Sequence, residues 1–232
     1  MSISSSNLPI LYSLQHCPYA MRARLGILLA EQSVLIRAVV TKNKPADMLA
    51  LSPKGTVPVL IINHGECGER QSQKTTIIDE SVDIMLWALA LNDPQNLLRA
   101  EDPLKLASML ALIKTNDRQF KPQLEVYKLA KRFHKESEVD DRQRCEGFIV
   151  ELEKTLATSQ YLMGDKHSLA DYALLPFVRQ FARVDRQWYL QAPYPKCRDW
   201  LNRHLQMPLY TKAMAKYPLW LDCHKAFLLG EN

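Results

Sequence analysis

Residues 10–29 read ILYSLQHCPYAMRARLGILL, and the pattern of this stretch changes halfway along it. The apolar run Ile10–Leu14 is typical of a short buried strand. From Met21 onward, apolar residues recur at helical spacing, and Pro18 stands at the first helical position, where its missing N–H costs nothing. Cys17 therefore lies at the junction between a strand and a helix.

That position predicts a reactive thiol at Cys17. A helix N-terminus presents unpaired backbone N–H groups and the positive end of the helix dipole, and both favour the thiolate. The alternative is a small buried apolar residue, which is the more common role of a lone cysteine. Ala20 stands where a C-x-x-C motif has its second cysteine, so an external thiol would have to release any mixed disulfide formed on Cys17.

The composition narrows the class of protein. Hydrophobic residues make up 47% of the 232 residues and charged residues 24%, a balance typical of a soluble globular chain. The formal charge of +5 is spread without a basic block, so we expect no nucleic-acid partner. Five cysteines without framework spacing favour a reducing cytoplasm, and no Cys and His stand at zinc-binding spacing, so we expect no metal. The sequence has no signal-peptide pattern and no apolar run of about 18 residues, so we expect no membrane span.

The chain changes character near residue 92. Residues up to about 92 alternate strand and helix signals, and residues from about 101 onward carry helical periodicity almost throughout. The cluster NDPQN at 92–96 is rich in helix breakers and is the natural linker. We therefore expect an α/β domain over 1–92 and an all-α domain over 101–232.

The first domain has a recognisable element order. In chain order, the predicted elements are strand Ile10–Leu14, helix Pro18–Glu31, strand Val34–Val40, short helix Ala46–Leu51, strand Gly55–Ile62, strand Thr75–Ile78 and helix Val82–Ala90. The first three form a βαβ unit, which implies parallel strands and a right-handed crossover. Polar residues at 63–74 predict a long hairpin connection between the last two strands. This order is that of a thioredoxin-like domain.

The second domain is predicted to be a helical bundle. Apolar periodicity predicts helices over Pro103–Phe133, Arg142–Leu156, Pro195–Leu205 and Pro208–Lys216. Ser168 and Asp171 form a capping box before the apolar run Ala173–Val178, and we expect them to stabilise the fold and not to act on a substrate.

Four motifs in the first domain, with the capping box in the second, resemble the cytosolic glutathione S-transferase superfamily. The motifs are CPYA at 17–20, KNKP at 42–45, Val57-Pro58, and Glu80-Ser81 at the start of a helix. The CPYA motif and the lysine loop are similar to those of the cysteine-type, omega-like (glutaredoxin-like) members. The resemblance implies glutathione transferase architecture, a thioredoxin-like domain followed by a helical bundle.

The resemblance also implies a glutathione site made of Cys17, Tyr19, Lys44, Val57, Pro58, Glu80 and Ser81. Val57 would precede a cis proline and pair with the cysteinyl backbone of glutathione, as an added strand does. Glu80 and Ser81 would hold the γ-glutamyl end at a helix N-terminus, and Lys44 would pair with the glycyl carboxylate. Singly, each residue has an ordinary alternative, since Glu80 and Ser81 are good helix-start residues and Lys44 lies in a polar loop.

Candidate walls for a second-substrate pocket are Phe120, Tyr127 and Trp220. Aromatic residues on helices more often belong to the core, which is the alternative for all three.

The leading function hypothesis is a glutathione-dependent thiol transferase or reductase that works through a mixed disulfide on Cys17. Its substrates would be glutathione and a small-molecule or glutathionylated compound, and the resemblance implies a cytoplasmic homodimer. One alternative is a conjugating transferase for hydrophobic electrophiles, with Tyr12 supplying the hydroxyl. Another is a non-enzymatic binding module on the same fold.

Overall fold

The structure is a computed structural model and describes residues 8–63 and 75–231. It contains two compact units, Met1–Pro94 with Pro208–Asn232, and Gln95–Met207. The first unit is α/β and the second is helical, so the predicted fold class is confirmed. The units differ from the expected domains at one end, because the segment from Pro208 onward packs with the α/β unit.

The α/β unit is built on a mixed five-stranded sheet. Its strands are β1 (Ile10–Ser13), β2 (Leu35–Ala38), β3 (Val59–Asn63), β4 (Thr75–Ile78) and β5 (Phe227–Leu228), in the spatial order β4-β3-β1-β2-β5. β1 and β2 are parallel, and the other neighbouring pairs are antiparallel. The hairpin predicted over 63–74 falls mostly on residues outside the described ranges. β5 was not predicted, because a two-residue strand at the end of a chain has no periodicity of its own.

The helices of this unit are α1 (Pro18–Leu29), α2 (Ala46–Leu51), α3 (Ser81–Leu91), α10 (Pro208–Ala213) and α11 (Trp220–Cys223). Helices α1 and α3 pack closely, and Gly26 makes the approach possible. A Cβ atom at Gly26 would lie 2.6 Å from Cγ of Met85 and 2.8 Å from its Cα. The start of α1, where Cys17 lies, is thereby held beside an ordered neighbour.

The helical unit contains α4 (Pro103–Thr115), α5 (Lys121–Arg132), α6 (Glu138–Thr158), α7 (Leu169–Ala182), α8 (Arg186–Gln191) and α9 (Pro195–Gln206). The single helix predicted over Pro103–Phe133 is interrupted by a π-helical turn at Asn116–Phe120. Pro122 lies two residues after the end of this turn and cannot donate the usual helical hydrogen bond, which accounts for a local change of register there. Apolar periodicity continues through the turn, so the sequence pattern alone did not show it.

The capping box at the start of α7 is present. Asp171 Oδ2 accepts hydrogen bonds from Ser168 N at 2.9 Å and from Ser168 Oγ at 2.6 Å. Its other carboxylate oxygen accepts from Leu162 N at 2.9 Å and from Trp200 Nε1 at 2.8 Å. Both oxygens of this buried carboxylate are therefore engaged in holding three segments of the helical unit together.

Candidate active site

Cys17 is the N-cap residue of α1. Its backbone is extended, with φ −75° and ψ 123°, and Pro18 follows at the first helical position. No side chain caps this helix end, and no acidic residue lies in its first turn. The half-buried Cys17 Sγ lies 3.8 Å from the backbone oxygen of Val57. The thiol thus stands at the positive end of the helix dipole with no neighbouring carboxylate in that turn to oppose a thiolate.

Cys17 borders a cavity of about 270 Å³. Four of the predicted site residues line it together: Cys17, Tyr19, Lys44 and Val57. Most of the remaining wall is apolar or backbone, from the end of β1, the segment after β2, and the Gly55-Thr56 loop. The peptide bond between Val57 and Pro58 is cis, as the resemblance implied. The structure therefore brings these four predicted residues together at one cavity.

Lys44 is the cationic side chain among the described residues that line this cavity. Its side chain is half-buried, and within residues 8–63 and 75–231 it has no hydrogen-bond or ion-pair partner. A lysine that lines a cavity without a protein partner leaves its ammonium group available to an anion.

Glu80 and Ser81 begin α3, as predicted, but neither is among the described residues that line the cavity. Ser81 is buried, and its Oγ accepts a hydrogen bond from Arg22 Nη1 at 3.3 Å. Glu80 is the N-cap residue of α3, and its carboxylate forms an ion pair with Lys54. The hydrogen bond that Lys54 donates to Glu80 raises the pKa of Lys54. An amine that bound at Glu80 would therefore meet the Lys54 ammonium group. Lys54 was not among the residues that the sequence predicted for the site.

Two arginines follow Cys17 on α1, and both are buried. Arg24 donates from Nε to Ser13 Oγ at 2.8 Å, and from Nη1 to the carbonyl oxygens of Ala213 at 3.1 Å and Ala215 at 3.2 Å. These acceptors are neutral, and burial lowers the pKa of Arg24 to about 10, against the opposite effects of Tyr217 and Cys17. Sequence reasoning noted the arginines as part of the motif but not their burial, since arginine is usually exposed.

Tyr12 lies on β1 with its hydroxyl fully engaged. Its side chain is buried, its hydroxyl donates to Asp47 Oδ2 at 2.5 Å, and it accepts from Arg37 Nη1 at 2.6 Å. Burial, and then the hydrogen bond to Asp47, raise the pKa of Tyr12 to about 12. Tyr12 is not among the described residues that line the cavity at Cys17.

The three aromatic residues expected in a second-substrate pocket have different surroundings. Phe120 and Tyr127 have no exposed surface and lie in the core of the helical unit. The rings of Phe120 and Phe148 stack with their centroids 4.7 Å apart, and the ring centroids of Tyr127 and Phe181 lie 6.0 Å apart. Both residues therefore belong to the core, which was the alternative to a pocket wall, because aromatic side chains at the start of α5 and on α5, α6 and α7 pack together.

Trp220 lies in the C-terminal segment of the α/β unit. The guanidinium of Arg37 stands 3.8 Å above the centre of its ring, and the ring packs against the cluster around Tyr12. It is partly exposed.

The other described cysteines have less access to solvent or a less favourable position. Cys145 and Cys197 are buried; burial raises the pKa of Cys145 to about 12 and also raises that of Cys197. Cys223 is half-buried at the end of α11, and Cys67 falls outside the described residues. Of the described thiols, only Cys17 combines partial exposure with a helix N-terminus.

The described residues contain neither a candidate metal site nor a candidate membrane-spanning helix. No group of three or more His, Cys, Asp or Glu side chains in residues 8–63 and 75–231 is arranged to hold a metal ion. None of the helices described there is long and apolar enough to cross a bilayer.

Comparison with solved structures supports the fold. The chain is similar to a glutathione transferase from Pseudomonas putida with one glutathione disulfide bound per subunit (TM-score 0.78, 16% identity, 94% of this chain and 95% of that one). It is similar to a glutathione transferase family member from Pseudomonas fluorescens with two glutathione bound (TM-score 0.77, 15% identity, 92% of this chain and 95% of that one). It is also similar to glutathione transferase Omega 2C from Trametes versicolor (TM-score 0.71, 20% identity, 89% of this chain and 93% of that one).

The search of curated proteins found no match. Two family models do match: the N-terminal domain of glutathione S-transferases over residues 11–96, and their C-terminal domain over residues 106–203. Together these models cover most of the chain in the order in which the family has them, with a cysteine at the start of α1. The chain therefore belongs to the glutathione S-transferase family.

Proposed function

We propose that this glutathione transferase is a thiol transferase of the monothiol, omega-like type. The observation that carries the proposal is Cys17, half-buried at the start of α1 and bordering a cavity, with Ala20 where a resolving cysteine would stand. A thiol in that position can attack a disulfide, but its own motif has no second cysteine to resolve the mixed disulfide that forms.

The chemistry follows from a single thiol. The Cys17 thiolate attacks the glutathionyl sulfur of a mixed disulfide, a new S–S bond forms on Cys17, and the substrate leaves as a thiolate that takes a proton from solvent. A glutathione thiolate then attacks the glutathionyl sulfur held by Cys17. Glutathione disulfide leaves, and the Cys17 thiolate is regenerated. The balance is one mixed disulfide and one glutathione converted to one thiol and one glutathione disulfide.

The proposed glutathione site extends from Lys44 to the start of α3. The unpartnered ammonium of Lys44 would bind the glycyl carboxylate, the backbone of Val57 would pair with the cysteinyl unit, and Tyr19 would form the wall beside the sulfur. Ser81 and Glu80 would hold the γ-glutamyl end. Lys54 already pairs with Glu80, so the glutamyl amine would have to share or displace that contact. Several related structures hold glutathione or its disulfide, which supports this choice of co-substrate.

The two alternatives fit the chain less well. A conjugating enzyme needs a hydroxyl free to donate to the bound thiolate, whereas the Tyr12 hydroxyl already donates to Asp47. A binding module would have no need of an accessible thiol beside an unpartnered lysine. We further propose a cytoplasmic homodimer, as in the resembling family, and sedimentation equilibrium of the full chain would test the dimer.

The deciding experiment is mass spectrometry of the intact protein after incubation with glutathione disulfide. We expect one glutathionyl group on the wild type, its loss when reduced glutathione is added, and no adduct on Cys17→Ser. Cys223→Ser is the matched control, because Cys223 is the other half-buried thiol in the described part of the chain, and it should behave as wild type. An equal adduct on Cys17→Ser, or none on the wild type, would rule the mechanism out.

A further inference from the structure

The helical unit contains a second cavity, of about 400 Å³, with no residue in common with the cavity at Cys17. The end of α7, helix α8 and one face of α9 border it. Every residue that lines it lies between Arg179 and Leu205, so it is formed within one compact unit.

Positive charge dominates this cavity. Its lining includes four arginines, Arg179, Arg183, Arg186 and Arg198, and no acidic residue among those described. Arg198 uses Nη1 to hold the carbonyl oxygens of Tyr189, at 3.3 Å, and Ala192.

Two of these arginines have no protein partner. Arg183 and Arg186 are exposed, and neither side chain has a hydrogen bond or ion pair with any residue that the structure describes. Asp185 lies between them in the chain but is already engaged, with Lys131 Nζ at 2.7 Å and with the Trp188 N–H at 3.0 Å. Their guanidinium groups are therefore available to an anion from outside the chain.

The rest of the lining suits an apolar body. Leu201 and Leu205 contribute apolar wall, and Leu190 is 56% exposed. Tyr189 also borders the cavity, but the residue is only 4% exposed. Its hydroxyl has no hydrogen-bond partner among the described residues and is buried, so it offers almost no accessible surface to a ligand.

Complementing the dipole of α7 explains only part of this arrangement. Arg179 lies in the last turn of α7 and Arg183 is its C-cap residue, where cations are favoured. That effect does not require Arg186 and Arg198, which belong to other helices, to face the same cavity.

We propose that this cavity binds a phosphate monoester that carries a short apolar chain. The phosphate is held by Arg183 and Arg186, and the chain lies on the leucines. A phosphate dianion has three terminal oxygens and can accept from guanidinium groups that approach from several elements, whereas a carboxylate is met by one or two. The site is separate from the chemistry at Cys17 and does not depend on the proposed function.

Isothermal titration calorimetry of the full chain with hexyl phosphate tests this proposal. We expect one site per chain, weaker binding at higher salt, and a loss of affinity of about tenfold or more in the double variant Arg183→Glu, Arg186→Glu. Arg118→Glu is the matched control, because Arg118 is an exposed arginine of the same unit outside this cavity, and it should leave binding unchanged. Circular dichroism of each variant separates lost binding from lost folding.

Tyr189→Phe provides a second control. It should leave hexyl phosphate binding near that of the wild type while raising the urea midpoint of the free protein, because the variant removes an unsatisfied buried hydroxyl. The proposal is overturned if hexyl phosphate produces no heat of binding at millimolar concentration, or if the double variant binds as wild type. Equal affinity for hexanoate would overturn the choice of phosphate.

Discussion

Tyr12 and Cys17 lie close together in the chain but in opposite environments. The hydroxyl of Tyr12 is buried and held by Asp47 and Arg37, whereas the thiol of Cys17 borders a cavity and touches only the oxygen of Val57 among the contacts described. Their positions explain the difference, because Tyr12 lies within β1 and packs in the cluster with Val59 and Ile61, whereas Cys17 lies beyond the end of the strand, at the start of α1. The thiol transferase that we propose therefore uses Cys17, and not Tyr12, as its reacting group.

Tyr12→Phe is the prediction that follows at this scale. Removing the hydroxyl should leave thiol transfer with a small disulfide substrate near the wild-type rate and destabilise the fold by about 1 kcal/mol, the usual net value of a hydrogen bond. Arg37 and Asp47 would still pair at 3.0 Å, which limits the loss. Steady-state kinetics and urea unfolding measure the two effects. A large drop in activity without a drop in stability would instead identify Tyr12 as a reacting group.

The packing of α1 against α3 is the interaction that supports the site at the scale of elements. Gly26 allows close approach to Met85, and one turn from Cys17 the buried Arg22 donates to Ser81 at the start of α3. The thiol and the proposed γ-glutamyl site are thus attached to two helices that contact each other directly.

Gly26→Ala should therefore destabilise the protein, against the general preference of helices for alanine. The added Cβ would meet Met85 backbone and side-chain atoms at under 3.0 Å, and overpacking of this kind costs about 1–3 kcal/mol. Gly147→Ala is the matched control in α6, and it should stabilise by about 0.5–1 kcal/mol, because apart from its own helix backbone and chain neighbours no described atom lies within 4 Å of the added Cβ. Urea midpoints measure both. Equal signs for the two variants would show that α1 and α3 can separate without cost.

The helical unit contains a pair of histidines, His204 buried and His167 half-buried, that should make its stability depend on pH. Their ring centroids lie 5.2 Å apart, and among the described residues His167 Nδ1 and His204 Nε2 have no hydrogen-bond partner. Burial lowers the pKa of both, with Asp171 acting in the opposite direction and Arg203 in the same direction. In the unfolded chain each histidine titrates near 6.5.

As pH falls below about 6.5, the unfolded chain binds protons that the folded chain does not, so stability should fall there and be constant above it. His204→Leu should flatten this dependence in urea midpoints measured between pH 8 and 5. The exposed His134 provides the control, since His134→Gln should keep the wild-type dependence. An unchanged profile in His204→Leu would mean that His204 is not responsible.

At the scale of the whole molecule, the C-terminal segment completes the α/β unit. β5 pairs with β2, Leu229 N donates to Val34 O at 3.0 Å, and Gly230 N donates to the Tyr217 hydroxyl at 2.9 Å. Arg24 holds the carbonyl oxygens of Ala213 and Ala215 in the same segment. The segment thus covers one edge of the sheet and satisfies a buried guanidinium of the helix that carries Cys17.

A chain ending at His224 should lose stability and tend to associate, because it removes β5 and exposes the polar edge of β2. Urea unfolding and size-exclusion chromatography measure the two effects. Lys225→Ala is the control, since Lys225 is exposed and begins the deleted segment, and it should match the wild type. A truncated chain with the wild-type midpoint would show that β5 contributes nothing to the unit.

The sequence predicted those features that depend on residues within a single helix or strand. The helix Ala46–Leu51 and the strand Thr75–Ile78 have the bounds that their apolar residues predicted, and the capping box of Ser168 and Asp171 is present as read. The cis bond before Pro58 came from the resemblance, because the dipeptide alone does not determine it. The π-helical turn and β5 were missed, since neither changes the apolar period of the sequence.

By itself, the sequence determined the order of most elements of the α/β domain up to α3, the thiol at the start of α1 and the family, because periodicity, capping and short motifs are local properties of a chain. Only the tertiary structure decided that Tyr12 is engaged with Asp47, that Glu80 is paired with Lys54, and that residues after Pro208 join the α/β unit. It also decided that four arginines from three helices meet at one cavity. Those outcomes depend on which distant residues come into contact, and hydrogen bonds and burial between distant residues leave no period in the sequence.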